Sequence, residues 1–210
     1  LNWNFRWLAI KNIHHRATEK ILSLCDFRAL CGNHFMNKTI LLERLQNERD
    51  QFELLLNRLG FTRQLTMRGV VAGLTVKDLF AEVLSHEQFI ADRLSEILHG
   101  ETYAPSASFT ALDNFQKEYG YPDFESPLIE KEKHDLFVID MYKHIEFDEI
   151  VSQELAVYAS ILESLEHLTY HQFLDHDLFH RVAEHTYRPY RRISSIINRW
   201  LKRIASESKK

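Results

Sequence analysis

Glycine and proline are scarce: the 210-residue chain has 6 Gly and 4 Pro, too few to punctuate the many short strands of a sandwich or barrel. Cysteine is scarcer still. Its two copies, Cys25 and Cys31, both fall in the first 35 residues, so residues 36–210 offer no disulfide, no thiol nucleophile and no thiolate metal ligand. No run of about 18 apolar residues occurs, so no membrane span is expected. A formal charge of −4 without a long basic run gives no footprint for nucleic acid. The basic residues from Arg188 to Arg203 read as the solvated face of a last helix. Glycine-rich phosphate loops, dinucleotide fingerprints and nucleophile elbows are also missing, which argues against covalent serine chemistry.

What the chain does have is long stretches of helical periodicity, with 45% hydrophobic and 27% charged residues. These are enough for one well-filled core, and the expected class is all-α. The first 35 residues differ from the rest, with five Lys/Arg against two Asp/Glu, while the remainder carries 21 against 28. The composition shifts at Met36. Residues 1–35 are therefore expected to be a non-native, disordered or loosely attached extension, with a targeting segment as the alternative. The folded domain is expected to be residues 36–210.

Within that domain, Asn37 can cap a helix whose stripe is Leu41, Leu45, Phe52, Leu55, Leu56 and Leu59. Thr75 and Asp78 form a capping box for a second helix, and Gly100 ends it. Residues 101–127, rich in Tyr, Phe, Pro and Ser, read as a long crossover holding one short helix started by Thr110 and Asp113. A helix from Ile129 to about Lys143 follows, then one capped by Asp148 with Val151, Leu155, Tyr158, Leu162 and Leu165 inward. After a polar, His-rich turn, a last helix turns Phe179, Ala183, Tyr190, Ile193, Ile197 and Trp200 inward, and Pro189 must kink or start it. Four main helices and one crossover make a four-helix bundle.

The candidate chemistry sits on the second helix. Glu87 lies four residues after Val83 and three before Ile90, so its carboxylate falls in line with the core-facing residues. It could accept a proton, or pair with an arginine such as Arg191. Glu82 and His86, one turn apart, flank that stripe. His86 suits a ligand or a general base, or a half-buried imidazole bonded to Glu82. Tyr187 and Tyr190 could donate to a substrate or simply pack. Arg191 could hold an anionic group. His167, His171, His176 and His180 read as a solvated cluster.

The segments LTVKDLFAEVLSHEQF and HRVAEHTYRPYRRISSIINRWL resemble the second-helix and last-helix signatures of DinB-like four-helix bundles, with Thr186, Tyr187, Tyr190, Arg191 and Trp200 matching best. Among them the chain is most similar to the ClbS/DfsB-like branch, from about Met36 to Lys202. The resemblance implies a cytoplasmic protein that binds or hydrolyses a small electrophilic molecule, acting without a cofactor. Its acid/base set would be Glu87, His86 and Glu82, with Tyr187, Tyr190 and Arg191 holding the substrate and a second copy of the chain as partner. The wider superfamily also includes metal-dependent thiol transferases and isomerases, whose three metal-binding histidines would fall here on Glu82, Pro189 and Ile193. Two of those positions cannot ligate. A substitute divalent-metal set would be His86, Glu82 and His180, and a non-catalytic dimeric stress or scaffold protein is a further alternative.

Overall fold

The computed structural model describes residues 37–61, 64–128 and 131–207, with the side chains of 131–136 excepted. The chain divides between Phe35 and Met36, and the fold below is that of the second unit. The expectation for residues 1–35 lies outside the described residues.

All regular structure among the described residues is helical. In chain order the helices are α1 (Lys38–Phe61), α2 (Val76–His99), α3 (Phe109–Tyr119), α4 (Lys131–Tyr142), α5 (Phe147–His167), α6 (Tyr170–Asp175), α7 (Leu178–His185) and α8 (Tyr187–Glu207). Asn37 starts α1 by accepting the Ile40 amide at 2.8 Å. The Thr75–Asp78 capping box starts α2, and Gly100, at a left-handed φ of 72°, ends it. That conformation carries no Cβ penalty only for glycine, so the helix stops where the sequence places one.

α2 is the central helix, packed against α4, α5, α7 and α8, while α1 lies along α8. Its fully buried Val83, Ile90 and Leu94 mark the core-facing stripe. Phe52 of α1 stacks on Tyr190 of α8 at 5.3 Å and lies 6.1 Å from Phe80 of α2, which in turn meets Phe147 of α5 at 5.4 Å. One aromatic column thus joins four helices. No helix among the described residues is long and apolar enough to cross a membrane.

Four expectations need correction. The crossover helix starts earlier, because Ser108 caps it by accepting the Ala111 amide at 3.2 Å. α5 begins before Asp148, after Glu146, which makes no side-chain cap. Docking Phe147 against Phe80 recruits that residue into the first turn, where Asp148 and Glu149 then complement the helix dipole. The last helix is two helices, α7 and α8, so Phe179 and Ala183 do not share a rod with Tyr190. The break falls at Thr186 (φ −127°, ψ −91°), whose hydroxyl donates to the Val182 carbonyl at 2.5 Å. Pro189 is then the third residue of α8, where its missing N–H would have had no intrahelical partner. The polar turn before it also contains a helix, α6, with a Thr169–Gln172 capping box.

The crossover is fastened to α2. Tyr121 donates to Asp92, Tyr103 donates to Asp123, and Asp123 also accepts the Ser106 amide at 2.8 Å. Arg93 is 1% exposed. Its guanidinium lies 4.1 to 5.6 Å from the ring centroids of Tyr103, Phe89, Tyr119 and Phe115, and it pairs with Glu96 at 2.5 Å. Aromatic faces and one carboxylate together offset the desolvation of that cation.

Candidate functional site

Successive residues of α2 face different surroundings because each step turns about 100°. Glu82 and His86 point to a cavity of about 520 Å³ that is also lined by Phe124, Glu125, His180, Arg181, Glu184, His185, Arg188, Pro189 and Arg192. That is within the range of small-molecule pockets. The walls are therefore α2, the end of the crossover, α7 and the start of α8. Charges in the wall occur in pairs. Arg192 donates to Glu82, Arg188 to Glu184, and Arg181 to both oxygens of Glu125, at 2.7 and 3.1 Å.

At the cavity wall, Nδ1 of His86 lies 3.0 Å from Nδ1 of His185. Burial, helped by the charges of Arg181 and His180, pushes His185 down to about 3, so it is neutral. A contact between two such nitrogens requires one proton between them, and the ring that accepts it must carry its own proton on Nε2. Each outer nitrogen faces a carboxylate: His86 Nε2 is 3.9 Å from Glu82, and His185 Nε2 is 4.0 Å from Glu125. With both rings neutral, one end of the pair is an N–H and the other a basic lone pair. Phe124 stacks on His86 at 4.0 Å between centroids, and Phe89 packs on His185 at 4.7 Å, which fixes both rings.

Glu87 does not line this cavity. It is fully buried in the helical core, where Tyr190 of α8 donates to its Oε1. Arg49 of α1 pairs with Glu154 of α5 at 2.7 Å, and its guanidinium stacks over Tyr158 at 3.9 Å. Burial first, and then the charge of Glu154, hold Glu87 well above the usual carboxylate range, with Arg49 opposing. Burial also raises Glu154, against the pull of Arg49.

The sequence-derived set therefore separates. Glu82, His86 and His180 reach the cavity, whereas Glu87 and Tyr190 belong to the core. Tyr187 is buried between Arg44 and Arg191, 5.9 and 5.6 Å from its ring. Arg191 is not the partner of Glu87 but pairs with Glu48 at the surface. His167, His171, His176 and His180 are all exposed. Among the described residues, no group of three or more His, Cys, Asp or Glu is placed to hold a metal ion, and the buried Pro189 and Ile193 supply no donor. The residues present do not fit the superfamily's three-histidine centre.

His185 was missed by the sequence reading, although a signal existed: it lies seven residues after Leu178 and three after Val182, both fully buried. Arg49 and Glu154 carry the same signal on α1 and α5. Glu125 and Phe124 had none, since they sit in the crossover.

No family model matches the chain, and no curated protein matches it. A solved structure of an uncharacterised protein from Escherichia coli UTI89 is similar to it, with a TM-score of 0.57 and 14% identity, covering 80% of this chain and 94% of that one. At that identity the likeness is one of fold alone.

Proposed function

We propose that the four long helices α1, α2, α5 and α8 form a DinB-like bundle of ClbS/DfsB-like type that binds a small electrophilic molecule in the histidine-lined cavity and hydrolyses it. The observation that carries this reading is the His86–His185 pair between Glu82 and Glu125. An imidazole pair with a base at one end and an N–H at the other can take a proton from attacking water and return one to the leaving atom. The wall's balanced charges suit a ligand without large net charge, and Phe124 and His86 offer it an aromatic surface. Tyr187, Tyr190 and Arg191 have no part in this version of the site. A cytoplasmic location goes with the reading.

The test is a panel of epoxides, activated cyclopropanes and thiol conjugates offered to the purified protein, with wild type compared to His86→Gln and His185→Gln. Turnover lost in both variants with folding retained supports the reading. Turnover equal in both and in wild type removes the pair from the mechanism, and no turnover or binding of any compound removes the hydrolase.

A second reading, a dimer, is favoured by Ile40, Leu54 and Phe61, which are 40%, 58% and 89% exposed. They recur on α1 at multiples of seven residues, as on a helix seam that meets a partner. Sedimentation of wild type against Leu54→Glu distinguishes dimer from monomer.

A further inference from the structure

The core cluster around Glu87 has no role in the cavity chemistry and is independent of it. It contains the carboxyls of Glu87 and Glu154, the guanidinium of Arg49, and the phenols of Tyr158 and Tyr190. These come from α2, α5, α1, α5 and α8, and none is more than 5% exposed. With both carboxyls ionised, a site this deeply buried would hold one unbalanced negative charge, at a cost that proteins avoid by taking up a proton.

The donors show where that proton lies. Arg49 donates to Glu154, giving that carboxyl a cation at 2.7 Å. Among the described residues, Glu87 receives only the Tyr190 hydroxyl, on Oε1, and no donor reaches its buried Oε2. The carboxyl that acts on Glu87 within this cluster is that of Glu154, through its charge and through hydrogen bonding that raises Glu87 and lowers Glu154. Two acceptors joined in this way require a hydrogen between them, and the unsatisfied oxygen is the one that can carry it.

We infer that Glu87 and Glu154 form a buried acid pair sharing one proton, in which Glu87 is a carboxylic acid donating to the Glu154 carboxylate. This makes a neutral clasp between α1, α2, α5 and α8. It opens in alkali. The unfolded chain releases this proton near the ordinary glutamate range, whereas the folded chain keeps it. Stability is therefore full below that range and falls as pH rises, until the buried acid itself ionises.

The test uses the full chain with carboxyl-labelled glutamate, read by infrared spectroscopy at neutral pH and by urea unfolding across pH. A protonated-carboxyl band is expected in wild type and absent in Glu87→Gln. Glu154→Gln should also lose it, since Glu87 then faces Arg49 as the only carboxyl and ionises. The wild-type urea midpoint should fall between about pH 6 and about pH 9, with a flatter profile in Glu87→Gln. Absence of the band in wild type overturns the inference, as does its persistence in either folded variant. If neither variant folds, the wild-type band and midpoint still decide.

Discussion

His86 and Glu87 are neighbours in sequence and occupy opposite electrical settings. The imidazole joins a pair at a cavity, with carboxylates at its outer ends and a side chain 18% exposed. The carboxyl joins a pair sealed inside the helical core, 0% exposed. Both pairs are built around one shared proton. They differ in what can reach it: a ligand in the cavity has access to the first, and only the solvent admitted by unfolding reaches the second. A single helical step thus separates a group suited to exchange protons with a bound molecule from one suited to hold them. Acidic residues mark the first pair's ends, and a cation anchors the second.

The comparison breaks most severely at Arg49. Arg49→Met removes the cation that holds Glu154 ionised and should destabilise the fold by about 3–5 kcal/mol in urea or thermal unfolding. A loss below about 1 kcal/mol would mean that the core carboxyls are not charged as described.

The histidine pair predicts the opposite dependence on pH. His185 is held down to about 3 in the fold and has the ordinary value of 6.5 when unfolded. Its contribution is full above that value and is lost as pH falls, by about 1.4 kcal/mol per unit at most. His185→Phe should therefore gain stability relative to wild type between about pH 6 and about pH 4. A difference that stays constant over that range would show His185 to be solvated.

Glu87→Gln sharpens the contrast rather than breaking it. The amide keeps an acceptor for Tyr190 and a donor toward Glu154, so stability in mild acid should stay within about 1 kcal/mol of wild type. A loss of 3 kcal/mol or more there, on the order expected when a buried charge loses its partner, would place an ionised Glu87 in the core. The smallest effect belongs to Arg191→Ala at the exposed Glu48 pair. It should cost less than about 1 kcal/mol and leave binding in the cavity unchanged by calorimetry.

The division between these two faces was only half legible in the sequence. The offsets of Glu87 from Val83 and Ile90 place it in the core, and the same offsets at Arg49 between Leu45 and Phe52, or their reverse at Glu154 between Val151 and Tyr158, identify its partners. Local periodicity reaches this far because one face of a helix is enough to define it. The cavity depends on more. Its far wall is the end of the crossover, and a segment of mixed composition does not reveal which helix face it covers. Nor did the pattern show that the last helix breaks at Thr186, which brings His185 to His86 on one element and Tyr190 to Glu87 on the next. His176 and His180 share no helix face although they are four apart, because α6 ends before both of them and α7 begins between them at Leu178.

The fastening of the crossover also bears on how the protein could be altered. Asp92 and Arg93 grip Tyr121 and Tyr103, while α3 between those tyrosines buries only Leu112. The segment behaves as a shelf bolted at both ends, with a free outer surface. New residues grafted into α3 would ride on that shelf without moving Phe124 or Glu125, so the approach to the cavity could be redesigned while its chemical wall stays in register.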